Sequence, residues 1–177
     1  MASSRIEIDG ITLNYAISGP AAAPVVCLNH CFASDHRYWD PHLPAFEGFR
    51  VLRHDARGHG ESGKPPGPYS LEMMAGDVVG LLDALDIEQV HICSVSMGGM
   101  ITQVLAGRHT DLVKSACLVA TSFGGLRMGA AIAPNTSLLV GCFVGKPRAR
   151  ARATLRMLFP DEFLDGGGKK QLKSTLY

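Results

Sequence analysis

The chain has 177 residues, 46% hydrophobic and 19% charged, with a slightly positive mean hydropathy of +0.12, the profile of one globular domain rather than a disordered or fibrous chain. A formal net charge of +1 and a pI of about 7.7 supply no long-range field that would gather nucleic acid or an anionic membrane, so neither is expected as a partner.

The first ten residues lack the basic-then-apolar layout of a signal peptide, and no apolar run approaches the length of a membrane span. Five cysteines (Cys27, Cys31, Cys93, Cys117, Cys142) stand singly with no CxxC pair. Together these features predict a cytoplasmic protein with reduced, buried thiols and no metal or cofactor. The terminal Thr-Leu-Tyr is not a peroxisomal signal, which could exist only on a longer product.

Residues 5–17 alternate on either side of Asp9-Gly10, a dipeptide suited to the positive φ angles of a two-residue hairpin turn, so an antiparallel hairpin opens the fold. Short apolar runs at Val25–Asn29, Arg50–His54, Gln89–Cys93 and Ser115–Ala120 read as strands of a parallel sheet buried on both faces. Between them, Leu71, Met74, Ala75, Val78, Val79, Leu82 and Leu85 form one helical stripe behind Ser70, a plausible N-cap. A second helix is expected from about Gly98 to Arg108. Alternating strands and helices predict a mostly parallel sheet with helices on both faces, core residues filling 1–121. Beyond Thr121 the composition turns to Gly, Ala and Pro, then to a basic helix over 148–159 carrying Arg148, Arg150, Arg152 and Arg156. Residues 122–165 read as the start of a cap insertion, with those arginines solvated on it, and 166–177 as a flexible tail.

The most specific window is Val90–Gly99, VHICSVSMGG, where a strand runs into a helix through Ser96. A sharp strand-to-helix turn needs small residues two before and two after its central serine, and Ser94 and Gly98 satisfy this, with Gly99 extending it. Such a turn lifts the Ser96 hydroxyl clear of the sheet, with a helix N-terminus behind it to favour developing negative charge.

Two further segments join this window in order: Asn29-His30-Cys31-Phe32 after the Val25 strand, and Asp55-Ala56-Arg57-Gly58-His59-Gly60-Glu61-Ser62 after the Arg50 strand. Together the three resemble the α/β-hydrolase superfamily: its His-Gly-Phe oxyanion loop with Cys31 for glycine, its D-x-RGHG-x-S loop, and its G-x-S-x-G nucleophile elbow with Ser94 for the first glycine. The stretch from Ser34 to Phe46 (SDHRYWDPHLPAF) resembles the branch containing 3-oxoadipate enol-lactonases and ester hydrolases. The resemblance implies an α/β-hydrolase fold and a small ester or lactone as substrate. It makes Ser96 the nucleophile and assigns the oxyanion hole to the backbone N–H groups of Phe32 and Met97. His30, Ser94 and Gly98 become supporting residues, Cys31 a small buried apolar residue, and Arg57 and His59 fixing groups of a structural turn.

That superfamily places its triad in the order serine, acid, histidine. After Ser96 the only histidine is His109, and the acids are Asp111, Asp161, Glu162 and Asp165, none of which follows an apolar strand. The expectation is an incomplete fold whose last two strands and their helices, with the base and the acid, are absent. This chain alone would then be inactive and marginally stable. Two functions stay open: a serine hydrolase realised in a longer product, or a non-catalytic remnant that binds a small ligand or partner.

Overall fold

In a computed structural model, residues 3–123 are described. The chain divides into two compact units, Met1–Phe123 and Gly124–Tyr177. Of the cap expected over 122–165 only Ser122 and Phe123 are described; the basic helix, Cys142 and the tail expected over 166–177 lie outside the described residues.

The expected hairpin is present as β1 (Ser4–Ile8) and β2 (Ile11–Ser18), paired antiparallel. Asp9 (φ 47°) and Gly10 (φ 78°) both take positive φ, as a turn matching the strand twist demands. The remaining strands are β3 (Val25–Asn29), β4 (Arg50–His54), β5 (Val90–Val95) and β6 (Val113–Val119). Spatial order is β1-β2-β4-β3-β5-β6, with the three pairings among β4, β3, β5 and β6 parallel. The sheet is therefore mostly parallel, entered through an antiparallel edge.

Helix α1 (Leu71–Ala84) is capped by Ser70, whose hydroxyl accepts the Met73 N–H at 3.1 Å. Helix α2 spans Met97–Arg108. The steps β4→β5 and β5→β6 move the same way across the sheet, so right-handed crossovers put α1 and α2 on one face. The step β3→β4 moves the opposite way and carries a 3-10 helix over His36–Phe46, which covers the other face. Side-chain alternation along the strands agrees. Cys27, Leu52 and Ile92 pack with Met74, Val78, Leu81, Leu82, Ile101 and Leu105; Val26, Leu28, Val51 and Val95 pack with Trp39. Each fully buried leucine contributes about 2 kcal/mol.

An incomplete sheet leaves its last parallel strand at the edge, and β6 holds that place among the described residues, with Leu118 and Val119 exposed at 42% and 45%. The expectation of buried thiols needs correction: on this edge Cys117 is exposed, Cys31 and Cys93 are half-buried, and of the four described thiols only Cys27 is fully buried. Among the described residues no helix is long and apolar enough to cross a membrane.

Candidate active site

β3 and β5 are parallel neighbours with Asn29 opposite Ser94. The His30–Phe32 loop and Ser96 therefore leave the sheet from adjacent strand ends. Ser96 sits between β5 and α2 at φ 52°, ψ −115°, close to the mirror image of an ordinary extended conformation and thus strained for any residue with a Cβ. The neighbours leave it little choice. A Cβ on Gly98 would stand 2.5 Å from the Asn29 carbonyl oxygen, and one on Gly99 2.6 Å from the Thr121 side chain. The Ser96 N–H donates to the Val119 carbonyl at 3.0 Å, and its own carbonyl accepts the Thr121 hydroxyl at 2.6 Å. Although Ser96 is the N-cap residue of α2, its side chain makes no capping bond, so the hydroxyl is not spent on the helix. Met97 is the first helical residue, where the N–H has no acceptor inside the helix.

Ser94 fits where the family pattern has glycine because its hydroxyl has a destination. It is fully buried and lies 2.6 Å from the Thr102 hydroxyl.

The loop after β3 is clamped through His30. Its Nδ1–H donates to the Cys31 carbonyl at 2.7 Å, and Nε2 accepts the Ala56 N–H at 3.0 Å, which fixes the tautomer. Burial lowers the pKa of this ring, keeping it neutral as that pattern requires. With both nitrogens engaged, His30 has no lone pair for a substrate proton. Phe32 lies edge-on to the His59 ring with centroids 5.8 Å apart, and Ala33 (φ 58°) turns the chain. Burial pushes the Cys31 thiol above its ordinary pKa, which disfavours the thiolate a nucleophilic cysteine needs.

Asp55 organises the loop after β4. Its buried carboxylate accepts from the His36 N–H (2.7 Å), His36 Nδ1 (2.8 Å), Asn14 Nδ2 (2.9 Å) and Glu61 N–H (2.8 Å). Burial alone would raise its pKa, but the bonds from His36, Glu61 and Asn14 hold it well below the usual carboxylate range. A Cβ on Gly60 would strike that carboxylate at 2.2 Å. Arg57 forks onto Asp77, with Nε donating to one oxygen at 2.6 Å and an Nη to the other, and the His59 Nδ1–H donates to the Arg57 carbonyl at 3.0 Å. Asp35, His36 and Asp55 bring three donor atoms within 4.8 Å of one another, yet both carboxylates are already occupied, Asp35 by Arg37. This cluster ties β2, β4 and the 3-10 helix together.

His109 is the C-cap of α2, so a 12-residue helix separates it from Ser96, about 18 Å along the axis. Asp111 lies further along the chain. Neither reaches the Ser96 hydroxyl.

Sequence reasoning passed over Asn29, Thr102 and Thr121, which hold the elbow from three sides. One signal was available: Thr102 is a polar residue beside Ile101 and Leu105 on the apolar face of a helix, four residues after Gly98. A buried hydroxyl at that spacing can bond the carbonyl one turn back.

The pattern of the family described as the alpha/beta hydrolase fold matches residues 24–139, well over half of the chain. A curated relative, 3-oxoadipate enol-lactonase 1 of Acinetobacter baylyi, is 39% identical over 92 residues, covering 51% of this chain and 34% of its own length. Among solved structures, an enol-lactonase of Burkholderia xenovorans is 33% identical with a TM-score of 0.79, covering 93% of this chain and 63% of that one. A hydrolase of Pseudomonas aeruginosa is likewise 33% identical at a TM-score of 0.79, covering 92% and 61%. The chain thus spans about a third of the length of that curated relative. With β5, the strained serine and α2 in the order and geometry described, and the family pattern running through all three, the chain belongs to the alpha/beta hydrolase family.

Proposed function

We propose that the protein is a serine hydrolase for a small ester or lactone, of the enol-lactonase kind or a natural-product tailoring relative, with Ser96 as nucleophile. The observation that carries this reading is the Ser96 backbone, held at φ 52° between a strand and a helix, with a hydroxyl that caps nothing. Backbone strain of this size persists where the surrounding structure over-determines it, and such positions cluster at active sites. Ser96 Oγ attacks the carbonyl carbon, its proton passes to a base, and the backbone N–H groups of Phe32 and Met97 receive the negative charge that develops on the carbonyl oxygen. The ester or lactone C–O bond then breaks, the leaving oxygen takes a proton, and water releases the acid from the acyl-enzyme. His30, Ser94 and Gly98 shape the site.

The base and the triad acid are not supplied near Ser96 by the described residues, and His109 is the only histidine after Ser96. On this reading the chain by itself turns over little, and the full reaction needs a base and an acid that the described residues do not place beside Ser96. The same observation favours a second reading, a non-catalytic member that binds a small ligand or a partner. A fluorophosphonate with mass mapping separates them. Slow label on Ser96, absent from Ser96→Ala, supports the hydrolase; no label together with ligand binding supports the second reading.

A further inference from the structure

We propose that Thr102 is a positioning residue: its hydroxyl is the knot that holds the three chain segments carrying the nucleophile and both oxyanion donors. This rests on the reading of Ser96 as nucleophile, and it names a residue that neither the family motifs nor the fold assigns.

Thr102, Ser94 and Asn29 are 0–2% exposed, so every polar atom in the group needs a partner inside the protein. The Thr102 hydroxyl donates to the Gly98 carbonyl at 2.9 Å. Asn29 Nδ2 donates to the Thr102 oxygen at 2.9 Å, and Asn29 Oδ1 accepts the Cys27 thiol at 3.5 Å, which fixes the orientation of the amide. A hydroxyl has one hydrogen and two lone pairs. Because the Gly98 carbonyl can only accept and the Asn29 amide nitrogen can only donate, the remaining contact at 2.6 Å must be Ser94 donating to Thr102. The Thr102 oxygen then donates once and accepts twice, and its capacity is full.

The three partners lie in the three places the oxyanion site depends on. Asn29 ends β3, immediately before the His30–Phe32 loop. Ser94 is the penultimate residue of β5, two before the nucleophile. Gly98 follows Met97 in the first turn of α2. A serine in place of glycine at position 94 thus adds a donor that Thr102 completes, and the first turn is pinned against the Asn29 backbone, 2.5 Å from where a Gly98 Cβ would stand. Oxyanion donors act through alignment within a fraction of an ångström, so the spacing between the Phe32 and Met97 N–H groups depends on this one oxygen.

The test compares Thr102→Val, which keeps the shape and removes the hydroxyl, with Thr102→Ser, which restores it, in the full chain. Amide proton and nitrogen shifts and hydrogen exchange of Met97 and Phe32, followed by NMR, report donor placement without turnover. Fluorophosphonate labelling of Ser96 reports its chemical consequence. Thr102→Val is expected to shift both amides, speed their exchange at least tenfold and slow labelling about tenfold, with the amides of Leu13 and Leu52 unchanged; Thr102→Ser is expected to return all three within about threefold. Unchanged Met97 and Phe32 amides in Thr102→Val, or failure of Thr102→Ser to restore them, overturns the proposal. If the unmodified chain takes no label, the reading of Ser96 as nucleophile fails, while the two amides still decide the role of Thr102.

Discussion

Ser96→Gly should make the protein more stable, and the size of the gain follows from one pair of angles. At φ 52°, ψ −115° the serine Cβ is held in a region that achiral glycine enters freely, and residues in such regions cost about 1–3 kcal/mol. Glycine returns about 0.5–1 kcal/mol of that through its greater freedom in the unfolded chain. Nothing else is lost with the side chain, because the serine hydroxyl makes no capping bond and the bonds to Val119 and Thr121 run through the Ser96 backbone. The net expectation is a gain of about 1 kcal/mol, which raises the urea midpoint by about 0.5 M for a slope near 2 kcal/mol per molar. Ser96→Ala is the control: it deletes the hydroxyl but keeps the Cβ, so its midpoint should stay within about 0.3 M of the unmodified chain. A midpoint for Ser96→Gly at or below that of Ser96→Ala would refute the claim that position 96 stores strain.

Gly98→Ala places a methyl group 2.5 Å from a backbone oxygen that cannot rotate away; it should cost about 2 kcal/mol or more in urea unfolding and abolish fluorophosphonate labelling of Ser96. Asp77→Ala leaves the Arg57 guanidinium, whose side chain is 12% exposed, without its partner, and should destabilise the fold by about 3 kcal/mol. His54, fully buried, has its pKa lowered by desolvation from 6.5 to about 4. Between those values the unfolded chain binds more protons than the folded one, so stability is whole above pH 6.5 and falls as the pH drops towards 4. The loss reaches about 3 kcal/mol, and His54→Gln should flatten the decline of the urea midpoint over that window. Asp55, with its pKa lowered, adds a second loss at still lower pH, because its stabilising contribution disappears once the folded carboxylate is protonated.

The strands β3 and β4 were legible residue for residue, because each is a short run built around adjacent apolar residues (Val25 to Leu28, and Val51-Leu52) between the turn-rich segments that flank it. The Asp9-Gly10 turn and the Ser70 cap were legible for a similar reason, since each is dictated by local backbone chemistry. The 3-10 helix over His36–Phe46 was not: Pro41 and Pro44 interrupt it, and with only His36 and Trp39 buried it shows no extended apolar stripe. The exposure of Cys117 was also missed, because a cysteine in an apolar run reads as buried even where that run ends a sheet. At the site, Ser96, fixed by backbone strain, and Gly98, fixed by the close approach of the Asn29 backbone, could be read from the small residues around the turn. Asn29 and Thr121 could not, and Thr102 showed only as a polar residue on an apolar helix face, because their roles arise only when β3, α2 and the end of β6 converge.

The central claim of the proposed function is that Ser96 is a competent nucleophile beside which the described residues place no base. Free imidazole tests it directly, because a small base diffusing into the cleft can take the serine proton that no described histidine is placed to take. With p-nitrophenyl acetate as substrate, the account predicts that added imidazole raises p-nitrophenol release and Ser96 acetylation by the unmodified chain well above the release seen with Ser96→Ala at the same imidazole concentration. Equal rates for the two proteins across the imidazole series, with no acetyl group on Ser96, would contradict it.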